Sequence, residues 1–222
     1  MTSLYSSPPS PSARAHASAL TGGELAFTAY RPQNGIFAYR GDCLSMEAQP
    51  QTNYFVNPDG SPADHTAPVA ALVVEAPVFS LYARVSTRLG SLYDAAGLIV
   101  ETGDPAGGSA GEWGKCVIEL SPFLRPTIVS VVTREVSDDA NGEELRTPEA
   151  HLRVHRNGPI LAFHWSVNGA VWKLARLFSL KGMDGPLRAG MIVQAPMGDA
   201  LTAVFSGICL ETGVPIDLRN GE

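Results

Sequence analysis

From Leu25 onward, short apolar runs alternate with polar positions and are cut by Gly, Pro, Asn and Asp at intervals of about 10 to 15 residues. That rhythm predicts antiparallel strands, and no long amphipathic helical period accompanies it. The predicted strands span 37–40, 45–48, 70–74, 79–85, 95–101, 113–120, 127–134, 151–156, 160–167, 173–180, 187–194 and 200–210. Twelve strands in about 200 residues are a two-sheet count. Arg156-Asn157-Gly158 and Val167-Asn168-Gly169 place Asn-Gly where a tight hairpin needs positive φ, which predicts a three-stranded meander. Pro122 and Pro126 break the chain between 113–120 and 127–134 and predict a hairpin with a longer loop. One helical turn is expected near residues 89–93, and a flexible surface loop over 103–111.

Residues 1–22 are rich in Ser, Pro and Ala and lack apolar periodicity, so they are expected to form a disordered arm before a single folded domain over 23–222. A chain of this length hides roughly 70% of its unfolded surface, enough for a core without disulfides or a structural metal. The net charge of -6 has the wrong sign for a polyanion, which excludes nucleic acid and anionic membrane as favoured partners. Apolar runs fall far short of the roughly 18 residues of a membrane span, and the start of the chain lacks a signal-peptide pattern. Three widely spaced cysteines predict reduced thiols and a cytoplasmic setting.

In strand 113–120, period-two alternation sets Lys115, Val117 and Glu119 against Cys116, Ile118 and Leu120. The next strand sets Val129, Val131 and Thr133 against Ser130, Val132 and Arg134. If the two pair, Lys115 or Glu119 is expected beside the Arg134 side. A charged face of this kind suits a hydroxylated ligand, with Glu119 as acceptor or base; it also suits cross-strand charge pairs on a solvated face. His164 lies opposite Leu161, Phe163 and Trp165 and is expected to join the surface that carries Glu119. Arg176 and Gln194 are polar positions in later strands. Trp113, Trp165, Trp172, Tyr54, Tyr82 and Tyr93 have the shape to stack on a sugar ring or to fill a core. The oxygen-rich segment 137–141 admits a calcium reading or ordinary turn chemistry. His151 and His155 lack a third zinc ligand at a known spacing, so no metal and no cofactor is expected. Cys116 alternates with apolar neighbours and behaves as a small hydrophobe.

The order Thr52-Asn53-Tyr54-Phe55-Val56-Asn57-Pro58, Tyr93-Asp94-Ala95-Ala96-Gly97-Leu98, Trp113-Gly114-Lys115-Cys116-Val117-Ile118-Glu119, Ser130-Val131-Val132-Thr133-Arg134 with Ser137-Asp138-Asp139, Phe163-His164-Trp165-Ser166-Val167-Asn168-Gly169 and Gly190-Met191-Ile192-Val193-Gln194 resembles a family of domains of unknown function. That family includes the yeast regulation-of-enolase protein. The resemblance runs from about residue 25 to 212. It implies an all-β, concanavalin A-like jelly-roll β-sandwich of two curved antiparallel sheets, with a concave face used by relatives of this architecture for carbohydrate. It carries over Lys115, Glu119, Thr133, Arg134, Ser137, Asp138 and Gln194 as matching positions. Asn53 replaces an expected Asp, and Ala96 an expected Gln.

The combined reading is non-catalytic binding of a carbohydrate or other small polyhydroxylated ligand, by Lys115, Glu119, Thr133, Arg134, Ser137, Asp138, His164, Arg176, Gln194 and Tyr54. One alternative is an enzyme acting on a sugar or secondary metabolite with Glu119 or His164 as general base. Another is a protein-interaction regulator of a metabolic enzyme such as enolase.

Overall fold

A computed structural model describes residues 17–22, 25–103, 111–213 and 217–221. Seventeen strands follow in order: β1 (Ala17–Gly22), β2 (Leu25–Tyr30), β3 (Gly35–Arg40), β4 (Cys43–Ala48), β5 (Tyr54–Phe55), β6 (Asp64–His65), β7 (Val69–Val74), β8 (Val78–Thr87), β9 (Ala95–Glu101), β10 (Trp113–Leu120), β11 (Pro126–Thr133), β12 (Ser137–Glu144), β13 (Glu149–Asn157), β14 (Ile160–Ser166), β15 (Lys173–Phe178), β16 (Leu187–Gln194) and β17 (Leu201–Glu211). A 3-10 turn, Pro32–Asn34, accompanies them among the described residues. Sheet A runs β1-β2-β7-β16-β9-β10-β11-β12, sheet B runs β15-β14-β13-β8-β17-β4-β3, and β5-β6 form a short ribbon. All pairings between these strands are antiparallel.

The sheets face each other across a core that includes Leu72, Leu98, Cys116 and Ile118 from sheet A and Leu81, Leu152, Phe163 and Phe205 from sheet B. Sheet A buries a second apolar cluster on its outer face, where Tyr54 covers Ile99, Trp113, Val117, Val129, Val131 and Ile192. Strands covered on both faces read as continuous apolar runs, which is why every residue of β9 is buried. Gly97 is the one position of β9 without a side chain. A Cβ there would lie 2.1 Å from the Cys116 carbonyl oxygen, so the close approach of β9 to β10 requires glycine.

Both expected hairpins form: β13-β14-β15 turn at Gly158 (φ 57°) and Gly169 (φ 71°), and β10 pairs with β11. Segment 137–141, read as an oxygen-rich loop, instead belongs to edge strand β12 (Ser137–Glu144). All of it but Ser137 is exposed, and an edge of Asp, Asn and Glu resists further pairing. Strand β2 and the β5-β6 ribbon were also not predicted; the ribbon strands, two residues each, are too short to show a period. The expected helical turn at 89–93 is an irregular turn: the Asp94 carboxylate accepts the Gly90 and Ser91 amides and Tyr93 sits at φ 65°. Of the expected arm, residues 1–16 lie outside the described residues and Ala17–Gly22 form β1. Residues 104–110 of the expected loop also lie outside them.

Candidate functional site

The outer face of sheet A holds a cavity of about 380 Å³ beside the ribbon, and Lys115, Glu119 and Gln194 line it. The ladder explains the meeting. Lys115 pairs with Val131, which pairs with Asp139, while Glu119 and Gln194 flank Ala95 from either side. Four residues along a strand separate Lys115 from Glu119, about 13 Å of backbone, with Val117 between them on the same face.

Lys115 is 1% exposed. Its Nζ donates to the Tyr54 carbonyl at 2.8 Å and to Gln194 Oε1 at 2.7 Å, and Gln194 Nε2 donates to the Tyr93 carbonyl at 3.2 Å. An ammonium has three donors, so one remains for the cavity. Burial lowers the Lys115 amine to about 8, opposed by the nearby Glu119, Asp139 and Asp64 carboxylates. Burial raises the Glu119 carboxyl to about 7, opposed by Lys115 and assisted by Asp139. Hydrogen bonds of the described residues leave the Glu119 carboxylate unused. Asn53 and Asn57 line the cavity and spend their amide oxygens on nearby backbone N–H groups. Phe55, Tyr93 and Met197 complete the wall with apolar surface.

Several expected contacts lie elsewhere. Thr133 Oγ1 and Ser137 Oγ bond each other at 2.7 Å, and Ser137 exchanges bonds with the Val56 backbone. Both pin the strand-like segment over the cavity and do not line it. Asp138 pairs with Arg176 at 2.7 Å, joining the edges of the two sheets on the surface. Arg134 is exposed past the end of β11 and donates to the Ser179 carbonyl at 3.0 Å; Lys115 and Glu119 share the face of Val131 and Thr133, not the Arg134 side. The Tyr54 ring is core: its hydroxyl bonds the buried Glu101 carboxylate, and only its carbonyl serves the site. His164 is completely buried on the outer face of sheet B, so it cannot share a surface with Glu119. Trp113 and Trp165 are core as well. Sequence reasoning missed Phe55, Asn57 and Asp139 as wall residues. Asn57 stood in the quoted Thr52–Pro58 motif and Asp139 in the oxygen-rich segment, but only the fold of β5 and β12 turns them toward Lys115.

Among the described residues no group of three or more His, Cys, Asp or Glu side chains is arranged to hold a metal, and no helix is long and apolar enough to cross a membrane.

A family model described as "Protein of unknown function (DUF1349)" matches residues 31–212. Among solved structures the chain is similar to a functionally unknown protein from Saccharomyces cerevisiae, at 21% identity and TM-score 0.72, covering 82% of this chain and 98% of that one. It is similar to the GH43 protein BlXynB of Bacillus licheniformis at 14% identity and TM-score 0.62, covering 84% of this chain and 36% of that one. It is also similar to the carbohydrate-binding module CBM66 of Bacillus subtilis at 12% identity and TM-score 0.52, covering 86% and 98%. The chain thus spans about a third of the GH43 protein. Identities this low show a common fold, the concanavalin A-like jelly-roll sandwich, and nothing finer. Among curated proteins none matches.

Proposed function

The chain belongs to the DUF1349 family of proteins of unknown function, and from that premise we propose that it binds a carbohydrate or other small polyhydroxylated ligand, without turnover, in the sheet A cavity. The observation that carries the reading is the pairing of a buried ammonium with one unused donor and a carboxylate with no hydrogen bond, both facing one cavity. A hydroxyl group is donor and acceptor at once and answers both needs. The free amide nitrogens of Asn53 and Asn57 and the ring of Tyr93 supply further polar contacts and a stacking surface. The sugar-related names of the GH43 and CBM66 neighbours agree with this ligand class at a distance. Three unpaired thiols support a reducing, cytoplasmic setting.

Isothermal titration against neutral mono- and oligosaccharides tests the proposal. Saturable binding that weakens at least tenfold in Glu119→Gln is the expected result; no binding across pentoses, hexoses and their oligomers overturns it. One observation favours an enzyme as the second reading: a carboxyl raised to about 7 is poised as a general base near neutral pH. Turnover abolished by Glu119→Gln with binding retained would establish it. His164 has no part in that reading, since it belongs to the opposite face. Neither the cavity nor the comparisons support enolase as a partner.

A further inference from the structure

Sheet B also buries polar side chains on its outer face. Cross-strand pairing sets Cys209, Tyr82, Arg153 and His164 in one row, and Glu211, Ser80 and His155 in the next. They border a cavity of about 670 Å³ whose lining includes Ser80, Tyr82, Arg153, His155, Trp172 and Glu211. Segment 217–221 closes one side, where the Leu218 carbonyl accepts from His164 Nε2 at 2.9 Å and the Gly221 carbonyl from Arg153 at 2.8 Å.

Proton counting fixes the state of His155. The Ser80 hydroxyl gives its single proton to the Gly213 carbonyl, so the His155 ring donates from Nδ1 to Ser80 Oγ at 2.6 Å. Nε2 is then a bare lone pair. It is buried, and it has no partner among the described residues, in a side chain only 2% exposed. Buried acceptors without donors are rare in native proteins, which points to a donor beyond the described residues. Arg153 adds charge. Its guanidinium lies 3.5 Å from the centre of the Trp172 ring, spends one of its five N–H groups on Gly221, and joins none of the ion pairs among the described residues. Glu211, the one carboxylate bordering the cavity among the described residues, is exposed to solvent and takes the Cys209 thiol at 3.4 Å.

We propose that this cavity is a second binding site, for a hydroxylated anion such as a sugar acid or a sugar phosphate, with Arg153 taking the anionic group and His155 Nε2 accepting a ligand hydroxyl. The planar fork of Arg153 suits a carboxylate and a phosphate alike, and its stacking on Trp172 holds the fork in place. The site is independent of the sheet A cavity, because the two lie on opposite outer faces of the sandwich.

The test is titration calorimetry of the full chain at low salt with glucuronate, glucose 6-phosphate, glucose and inorganic phosphate. At least one anionic sugar is expected to bind ten or more times more tightly than glucose and than phosphate, and the tighter of the two identifies carboxylate or phosphate as the preferred group. Arg153→Gln and His155→Gln each lower that affinity at least tenfold, while Glu119→Gln leaves it unchanged. Should Arg153→Gln fail to fold, Arg153→Lys keeps the charge but loses the fork, and shifts of the His155 ring resonances on titrating the native chain report the same contact. Equal affinity for glucose, equal affinity for phosphate alone, absence of binding by both anionic sugars, or loss in Glu119→Gln with retention in Arg153→Gln would each overturn the proposal.

Discussion

The two outer faces of the sandwich bury titratable groups with opposite protonation logic. Sheet A buries a carboxyl beside an amine; sheet B buries two imidazoles, His155 and His164, whose rings stand 5.1 Å apart. Burial disfavours the charged form of each group. Glu119 therefore keeps its proton up to about 7, while His155 and His164 refuse one until about 3 and 4. Linkage turns this into opposite slopes. The Glu119 contribution to stability is complete below its unfolded value near 4.5 and is lost as pH rises toward 7. The histidine contribution is complete above 6.5 and is lost as pH falls toward 4 and 3. The same physical cause thus makes the Glu119 carboxyl favour acid and the two histidines favour neutral solution.

The contrast breaks most severely if one sheet is forced apart. Gly97→Ala drives a methyl into the Cys116 carbonyl, and a loss of more than about 3 kcal/mol is expected in urea denaturation, together with loss of binding in the sheet A cavity. Next comes the acid limb. His164→Gln in combination with His155→Gln removes two groups that must charge on unfolding, so the stability difference between pH 6.5 and pH 4 shrinks by a few kcal/mol in melts across that range. A smaller effect is expected from Glu119→Gln, which removes a decline of about 1–3 kcal/mol between pH 4.5 and pH 7 while leaving the acid limb as it was. If the double histidine variant flattened the neutral limb instead, the assignment of slopes to faces would be reversed. The smallest effect belongs to Arg176→Ala. Its partner Asp138 is solvent-exposed, so stability changes by less than about 1 kcal/mol and neither site loses affinity.

Much of the fold was legible in the chain. Strands 95–101, 113–120 and 187–194 were read to the residue, because both their faces are apolar or alternate cleanly and Gly or Pro bounds them. The Asn-Gly turns were equally plain, since glycine accepts the positive φ that Gly158 and Gly169 adopt. Strand β12 was not legible: its exposed Asp, Asn and Glu carry the composition of a turn, and only pairing with β11 makes them a strand. Of the expected site, Lys115, Glu119 and Gln194 do meet. Alternation along one strand places Lys115 and Glu119 together, and pairing of β16 with β9 brings Gln194 to them.

The sequence by itself determined local geometry: which segments extend, which face of each is apolar, and where the chain turns back. Those properties depend on neighbours a few residues away, through side-chain alternation and backbone freedom. Only the tertiary structure decided which polar residues share a surface. Lys115 is buried because Tyr54, 61 positions away, folds over it, and His164 is separated from Glu119 because their strands enter different sheets. Long-range pairing sets these distances and the burial that shifts each proton, and no short window of sequence contains either.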